Sequence, residues 1–305
     1  MAIIWVGKFT NIKYLPPPAL CATPSFTRRG LGGGQKLGIM TITQLKEKSK
    51  TYRKKILEVI FHAKAGHTGG CLSIIDLLNV LYNHVLRIPS PKDPSRDRFI
   101  QSKGHAVEAL YVVLADQGFF PEEDLKTLGQ YQSPYIGHPT KKIPGMEQNT
   151  GGLGHGLSIC AGNALAAKKD KSDIKVYTIL GDGEMAEGSN WEAMMFAAHY
   201  KLDNLCGILD YNKLQISGAN AQVMGLEPIK QKIESFGWSV KEVDGHNIEE
   251  LVNTFDQLPF ENGKPSFIIA HTVKGKGVSY MENVAKWHHG VPSAEQLEQA
   301  LAELA

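Results

Sequence analysis

The stretch GDGEMAEGSNWEAMMFAAHYKLDNLCGILDYNK (residues 181–213) places polar residues directly after two apolar segments of the chain. Those segments, KVYTIL (175–180) and LCGILD (205–210), have the composition of buried strands, and the residues between them favour a helix. A strand, a helix and a second strand in this order indicate a β-α-β unit with parallel strands. We therefore expect Asp182 and Asn212 to lie at the carboxyl ends of neighbouring strands, the edge where open α/β sheets bind ligands.

The residue types at these two strand ends suit a metal-bridged diphosphate. Magnesium takes six oxygen ligands and shares them with phosphates, and Asp182, Asn212 and the backbone carbonyl of Leu214 offer three such oxygens. Gly181 and Gly183 let the backbone approach a diphosphate without a Cβ in the way, and the N-terminus of the next helix favours an anion. A plain strand-to-helix turn, or a nucleotide site of another kind, stays open from these residues alone. However, the chain has no GxxxxGK[ST] loop, and its GLGHG run lacks the GxGxxG spacing.

Composition excludes several other classes of protein. The 305 residues are 42% hydrophobic and 21% charged, with a net charge of +2, which is ordinary for a globular protein and argues against nucleic-acid or membrane partners. No apolar run reaches the roughly 18 residues of a membrane helix. Four cysteines without a CxxC pair predict reduced thiols and a cytoplasmic location, not a disulfide framework or a zinc site.

Residues 1–39 differ from the rest of the chain. Pro16–Pro18 and Gly32–Gly34 interrupt any regular element, and the order of charged and apolar residues does not match a signal peptide. We favour an extension ahead of a true start at Met40, and the alternative is an organelle transit peptide. The predicted organisation is an irregular leader over residues 1–39 and one domain over residues 40–305.

The remainder of the chain alternates between helical and strand patterns. Residues 131–152 have neither period, and such a long irregular stretch is usually functional or disordered. The alternation predicts a single α/β domain with a mostly parallel sheet flanked by helices. Besides the two strands of the β-α-β unit, strands are expected at 97–101, 238–243 and 266–272. Helices are expected at 42–64, 105–117, 157–169, 190–201 and 293–304. A further helix is expected through Leu77, after a break at Gly66–Gly70, and another between the strands at 238–243 and 266–272.

A series of motifs gives the chain a resemblance to the N-terminal half of the transketolase family, over roughly residues 45–292. GDG followed about thirty residues later by Asn resembles the family's thiamine-diphosphate motif. The resemblance implies a three-layer thiamine-diphosphate-binding fold, with thiamine diphosphate and Mg²⁺ as cofactors and Ca²⁺ or Mn²⁺ able to replace the magnesium. The motifs, in chain order, are AGHTGG (65–70), SKGH (102–105), GHP (137–139), TGGLGHG (150–156), GDG (181–183), DYNK (210–213), KGKG (274–277) and WHHG (287–290).

The resemblance places four glycine-flanked histidines in one site. This is chemically reasonable because imidazole binds hydroxyls and phosphates and transfers protons near neutral pH. By resemblance, His105 and His288 contact the cofactor diphosphate, and His67 and His138 face the sugar. Counted from Met281, the family position falls on His288; counted backward from Gly290, it falls on His289. We favour His288.

The resemblance also assigns roles outside the histidines. Gly151 and Leu153 are expected to contact the cofactor, and Glu187 is expected to lie at a subunit contact and help relay protons. The chain departs from the family at Thr68 and Gly152, where the family has proline, and at His155, where it often has glutamine. We expect His155 to cap a helix.

The chain ends where a second, pyrimidine-binding domain would begin in the family. The resemblance therefore implies a partner, a C-terminal transketolase subunit that carries that domain and the catalytic glutamate, in an α2β2 assembly. The helix around residues 191–198 is a candidate for part of the contact. The implied reaction transfers a two-carbon ketol unit from a ketose phosphate to an aldose.

Three alternatives keep the same cofactor motif or fold. The chain could resemble a 1-deoxyxylulose-5-phosphate synthase, the α subunit of a 2-oxoacid dehydrogenase, or a non-catalytic assembly subunit. The dehydrogenase fits less well because it lacks the histidine series, and the intact Asp182 and Asn212 argue against loss of catalysis.

Overall fold

The computed structural model describes residues 40–305. The predictions for the leader, residues 1–39, lie outside the described residues. Within the described part of the chain, none of the helices has the length and apolar character that crossing a membrane requires.

A five-stranded parallel sheet forms the centre of the domain, in the order β1-β2-β3-β5-β4. This confirms the predicted parallel α/β sheet. Because β3 lies between β2 and β5, the ends of these three strands meet at one edge. The strands are β1 (Arg98–Gln101), β2 (Val176–Gly181), β3 (Leu205–Tyr211), β4 (Ser239–Asp244) and β5 (Ser266–His271).

Helices cover both faces of the sheet, which gives the three layers expected. The two faces of β2 belong to different apolar clusters: Tyr177 and Ile179 pack with the helices on one face of the sheet, whereas Val176 and Leu180 pack with those on the other. Parallel strands that are buried on both faces have near-continuous apolar sequences, as β2 and β3 do. The helices are α1 (Ile42–Ala63), α2 (Thr68–Val80), α3 (Val107–Asp116), α4 (Gly156–Lys169), α5 (Gly188–His199), α6 (Asn220–Val223), α7 (Ile229–Ser235), α8 (Ile248–Phe255) and α9 (Ala294–Glu303).

The start of α2 differs from the sequence prediction. The glycines were expected to break the chain, but Gly69 and Gly70 lie inside the first turn of the helix. A Cβ on Gly69 would stand 2.8 Å from the Lys274 side chain and 3.0 Å from the Trp287 carbonyl oxygen. The glycine therefore permits close packing against the two segments that follow β5, and packing outweighs its low helix propensity.

Helix α7 was not predicted, whereas residues 131–152 contain no helix or strand, as expected.

The strand register fixes where the motif residues lie. Gly181 pairs with Asp210, and Tyr211 pairs with His271. Asp182, Asn212 and Thr272 therefore each follow the last residues of a strand at the same edge of the sheet.

Candidate cofactor site

A cavity of about 470 Å³ opens at the carboxyl edge of the sheet. It is lined by every site residue predicted from the sequence except Glu187. Two buried nitrogen atoms among its lining residues, His67 Nδ1 and Gln215 Nε2, have no hydrogen-bond partner within residues 40–305. Since buried polar groups are normally paired, the cavity suits a polar ligand. The predicted residues that line it are His67, His105, His138, Gly151, Leu153, Asp182, Gly183, Asn212, Leu214 and His288.

One side of the cavity, here called the oxygen wall, consists of Asp182, Asn212 and the Leu214 carbonyl. The Asp182 carboxylate is only 3% exposed and accepts hydrogen bonds from the backbone N–H groups of Gly183 (2.8 Å) and Lys213 (2.5 Å). No basic side chain in the described part of the chain forms a salt bridge with it. Burial, and then the nearby Asp210 carboxylate, raises the pKa of Asp182 to about 6. A bound cation would offset both effects.

Asn212 has its amide oriented by a buried network behind the wall. Its Nδ2 donates to Ser73 Oγ (3.2 Å) and to Asp210 Oδ2 (3.1 Å), and its Oδ1 accepts from the Leu214 N–H at 3.1 Å. Both donor hydrogens are therefore committed to the network. The amide oxygen lies near residue 214, where it could also coordinate a cation.

Asp210 is the centre of that buried network. It is fully buried and accepts hydrogen bonds from Lys103, Ser73 and Thr272. Burial acts to raise its pKa, but the Lys103 ammonium and these donors hold the pKa of Asp210 below its usual range. Asp210 is therefore a charged positioning group, and Lys103 neutralises it without reaching Asp182 at salt-bridge distance.

The other side, here called the histidine wall, consists of His67, His105, His288 and Lys274. The ring centroids of His105 and His288 are 5.0 Å apart, and those of His67 and His105 are 5.2 Å apart. The Lys274 ammonium lies 3.2 Å from His288 Nδ1 and donates to the Leu214 carbonyl at 3.2 Å. Lys274 thus joins the two walls, and it forms no salt bridge with a described carboxylate.

The histidine wall is neutral apart from Lys274. Burial, followed by the neighbouring His289, lowers the pKa of His67 to about 4; burial, followed by Lys274, lowers the pKa of His288 to about 3. Burial and Lys103 also place the pKa of His105 far below its usual range. Burial, and then Lys103, lowers the pKa of Lys274 to about 8. At pH 7 the wall therefore offers neutral imidazoles around one ammonium, which suits an anion.

Three histidines could in principle hold a metal ion, since nitrogen atoms of His67, His288 and His289 all lie within 4.8 Å of one another. The charges around them argue against this use. Lys103 and Lys274 act on His67 and His288 and disfavour further positive charge there. The oxygen wall is the place in the cavity where a cation is favoured.

His288 and His289 both line the cavity but differ in surroundings. His288 is buried and contacts Lys274, whereas His289 is exposed, with its ring 4.4 Å from the ring of His67. His288 is therefore the one of the two beside Lys274 and His105, and its assignment over His289 stays a prediction.

Gly151 shows why a glycine is required beside His138. Its φ is +129°, and a Cβ would stand 2.4 Å from His138 Cδ2. Only glycine adopts this backbone conformation readily, and no other residue leaves room for the imidazole. Gly151 therefore fixes where His138 meets the cavity.

Glu184 joins three of the sequence motifs. It is 2% exposed and accepts hydrogen bonds from the Ser102 hydroxyl, from the Gly154 N–H (2.8 Å) and from the Gly181 N–H (3.0 Å). Its carboxylate thereby holds the SKGH, GLGHG and GDG segments together at the cavity lining. Sequence reasoning passed over it because the motif glycines were assigned to the cofactor alone.

Two predicted residues lie elsewhere. Glu187 is exposed at the N-terminus of α5, outside the cavity lining. The prediction that His155 caps a helix is wrong: it precedes α4, but its side chain makes no capping hydrogen bond and is exposed. Its backbone is already near-helical (φ −97°, ψ −22°), unlike the extended backbone of a side-chain cap.

Sequence reasoning also missed Lys103 and Lys274, although both stand in quoted motifs. Lys274 follows β5 as Asn212 follows β3, so the rule about strand ends could have found it. Lys103 follows β1 in the same way. Both were read as parts of a motif, and their charge was not considered.

Comparison with known proteins now identifies the family. A family model described as "Transketolase, thiamine diphosphate binding domain" matches residues 45–304. The chain belongs to this family.

Three similar proteins illustrate the relationship. The chain is 51% identical over 267 residues to an apulose-4-phosphate transketolase subunit of Phocaeicola vulgatus, covering 87% of this chain and 95% of that protein. It is 41% identical over 263 residues to the 6-deoxy-6-sulfo-D-fructose transketolase subunit SqwG of Clostridium sp. (strain MSTE9), covering 85% and 96%. The crystal structure of Campylobacter jejuni transketolase is similar with a TM-score of 0.82 at 34% identity, over 87% of this chain and 43% of that one. The chain thus spans nearly all of the two subunits and less than half of that transketolase.

Proposed function

We propose that this chain is the diphosphate-binding subunit of a two-chain transketolase, which transfers a two-carbon ketol unit from a ketose phosphate to an aldose. Thiamine diphosphate, when bound, supplies the nucleophilic carbon for this reaction. The observation that carries the proposal is the joining of the oxygen wall and the histidine wall in one cavity by Lys274. A cation site beside an anion site is what a magnesium-bound diphosphate requires.

In this proposal the oxygen wall holds the metal. Asp182, Asn212 Oδ1 and the Leu214 carbonyl would hold the ion, which would keep positions open for oxygens of the diphosphate. Magnesium is the proposed ion because it prefers few carboxylates and shares its ligands with phosphates. Ca²⁺ and Mn²⁺ also take oxygen ligands and are expected to substitute.

We propose different roles for two pairs of histidines. His288 is buried and His105 half-buried, both close to Lys274, which supports contacts to the diphosphate. His138 is exposed, and its ring lies 6.1 Å from that of His67. We propose that His67 and His138 face the sugar, where neutral imidazoles exchange hydrogen bonds and protons with its hydroxyls. Gly151 and Leu153 line the cavity as cofactor contacts.

A partner is proposed to supply the catalytic glutamate. Of the described acidic side chains, only Asp182 and Glu184 line the cavity. Asp182 is proposed as the metal ligand, and Glu184 already accepts three hydrogen bonds. Neither carboxylate is free to act on the cofactor's pyrimidine ring, so we propose that a C-terminal subunit with the pyrimidine-binding domain supplies the glutamate. The proposed assembly contains two copies of each chain.

Helix α5 offers a surface for that assembly. Met194 and Ala197 are buried against the sheet, but Met195, Phe196 and Tyr200 are 55%, 38% and 46% exposed. A cluster of large apolar side chains on one exposed face is typical of an interaction site. Glu187 begins the same helix, and we propose that it lies at the contact and relays protons there.

The substrate is proposed to be a ketose with an anionic group. The names of the two subunit relatives specify apulose 4-phosphate and 6-deoxy-6-sulfo-D-fructose. Both names carry an anionic substituent, phosphate or sulfonate, so a panel of such ketoses is the appropriate screen.

The free thiols Cys71, Cys160 and Cys206 support a reducing, cytoplasmic setting.

Reconstitution tests the proposal. The purified chain is mixed with the C-terminal transketolase-type polypeptide encoded beside it, and ketol transfer is followed with apulose 4-phosphate, sulfofructose and xylulose 5-phosphate as donors. We expect turnover only when both chains, thiamine diphosphate and Mg²⁺ are present. Turnover by this chain alone would refute the need for a partner's glutamate.

A pyruvate arm separates the alternatives. A synthase-like or dehydrogenase-like subunit would act on pyruvate, whereas the proposed enzyme would not. Cofactor binding without turnover on any donor, in the complete complex, would favour a non-catalytic assembly role.

A further inference from the structure

A second polar network lies outside the cavity and involves no residue of either wall. Arg53 of α1 and Asp76 of α2 form a buried two-bond ion pair, with nitrogen–oxygen distances of 3.0 and 2.6 Å. His246, in the turn between β4 and α8, places its Nδ1 at 2.8 Å from Asp76 Oδ2. Burial acts to raise the pKa of Asp76, but Arg53 and then His246 outweigh it and hold that pKa well below its usual range.

The geometry fixes the protonation of the His246 ring. Its Nε2 lies 2.8 Å from the backbone nitrogen of Val273, which can only donate. Nε2 must therefore accept, and the ring proton sits on Nδ1, where it is donated to Asp76. His246 thus connects a buried ion pair to one particular backbone N–H.

That N–H belongs to the segment that carries Lys274. Besides local turn bonds, the segment is held at four backbone points. His246 accepts from the Val273 N–H, and the Lys274 carbonyl accepts from the Asn283 N–H (2.9 Å). The Gly275 N–H donates to the Gly69 carbonyl (3.0 Å), and the Lys276 carbonyl accepts from Arg53 Nε (3.0 Å). Two of these four contacts come from the Arg53–Asp76–His246 network. The Lys274 side chain extends to the Leu214 carbonyl and His288.

We propose that His246 is a positioning residue, which fixes the backbone of residues 273–276 so that the Lys274 ammonium stands at the diphosphate end of the cavity. The inference rests on the proposed function, because it takes Lys274 to bind an anion. Binding an anion costs the entropy of the lysine side chain and of any backbone that moves with it. A fixed backbone removes the second part of that cost and leaves the ammonium fewer positions to sample.

Two substitutions of His246 separate positioning from simple structural support. In His246→Asn, the amide nitrogen stands near the place of Nδ1 and keeps the bond to Asp76, but nothing reaches the Val273 N–H. In His246→Gln, the amide oxygen stands near the place of Nε2 and keeps the acceptor for Val273. If His246 served only to complete the buried ion pair, Asn would be the better substitute.

The experiment measures two quantities on the full chain. Amide hydrogen exchange over residues 272–277, without ligand, reports whether the segment is held. Calorimetry with inorganic pyrophosphate and Mg²⁺ reports anion affinity for the wild type, both His246 variants, Lys274→Met and the double variant Lys274→Met/His246→Asn. We expect His246→Asn to speed exchange and weaken pyrophosphate about five- to tenfold, as loss of one hydrogen bond allows, with His246→Gln close to wild type. In the Lys274→Met background, His246→Asn should add no further loss.

Three results would overturn the inference: wild-type affinity in His246→Asn, an equal loss in His246→Gln, or an Asn effect that persists without Lys274. Failure of the proposed function has a different signature. In that case the wild type binds neither magnesium pyrophosphate nor thiamine diphosphate, and the exchange data alone decide whether His246 holds the segment.

Discussion

The oxygen wall and the histidine wall of the cavity are built in different ways. The oxygen wall comes from two adjacent strand ends, 30 residues apart in the chain, and its geometry follows from the pairing of Gly181 with Asp210. The histidine wall is assembled from loops at residues 67, 105, 274 and 288, which no single strand pairing brings together. The first is a direct consequence of sheet topology, whereas the second depends on how loops pack over the sheet.

The walls also differ in charge. A buried carboxylate without a basic partner dominates the oxygen wall, and an ammonium without an acidic partner dominates the histidine wall. Each lacks a counter-charge among residues 40–305, and a magnesium diphosphate carries both. The comparison therefore implies that changes to the two walls affect metal dependence and anion affinity separately.

Removing the oxygen wall's charge is expected to have the largest effect. Asp182→Ala should weaken binding of thiamine diphosphate with Mg²⁺ by about 100-fold or more, since even groups that only support metal ligands contribute 10–100-fold. Asp182→Asn keeps the side-chain volume and should show an intermediate loss. Titration calorimetry at several magnesium concentrations measures both. Unchanged magnesium dependence in Asp182→Ala would show that the metal lies elsewhere.

Removing the charge of the histidine wall comes next. Lys274→Met keeps the chain length but loses a charge-assisted contact, so affinity for thiamine diphosphate should fall roughly 10- to 100-fold. The magnesium concentration at half-saturation should change much less. Lys276→Met is the matched control, because Lys276 lies in the same segment but pairs with Glu282 and does not line the cavity. Equal losses in the two variants would contradict the assignment.

A buried carboxyl behind the histidine wall gives a smaller, pH-dependent effect. Burial raises the pKa of Glu108 from 4.5 to about 7, and its carboxylate contacts the Cys71 thiol. Because the folded-state pKa is the higher one, protonated Glu108 stabilises the fold below about pH 4.5, and this stability is lost as the pH rises to about 7. Glu108→Gln cannot ionise, so its stability advantage over the wild type should grow by roughly 2 kcal/mol between pH 5 and pH 8.

Urea unfolding at the two pH values measures this difference. A constant difference between Glu108→Gln and the wild type would mean that Glu108 ionises in the fold as it does in water.

The smallest effect is expected at His155, which follows the cavity-lining Gly151 and Leu153 in the sequence but does not itself line the cavity. Its side chain is exposed and makes no capping bond. His155→Gln should change the free energy of unfolding by less than about 0.5 kcal/mol and leave cofactor affinity within twofold, as measured by urea unfolding and calorimetry. A larger loss of affinity would place His155 in the site.

The contrast between the walls also explains what the sequence could predict. The sheet, its parallel strands and the convergence of Asp182, Asn212 and Leu214 follow from apolar runs that end in polar residues, so physical reasoning reached them directly. The histidines were found only through the resemblance to transketolases, since nothing in the sequence around His67 indicates that it meets His288.

Packing accounts for most of what was missed. Gly69 looked like a helix breaker, but it is required by the close approach of Lys274 and Trp287. Glu184 and Asp210 looked like parts of motifs, yet each collects hydrogen bonds from segments distant in the chain. Such contacts depend on distances in the folded structure, which cannot be read from a single sequence.

The location of the metal tests the account most directly. A crystal of the full chain grown with thiamine diphosphate and Mn²⁺, measured at the manganese absorption edge, gives an anomalous peak at the ion. We predict a peak at coordination distance, about 2–2.3 Å, from Asp182, Asn212 Oδ1 and the Leu214 carbonyl oxygen. A peak among His67, His288 and His289 would contradict the account.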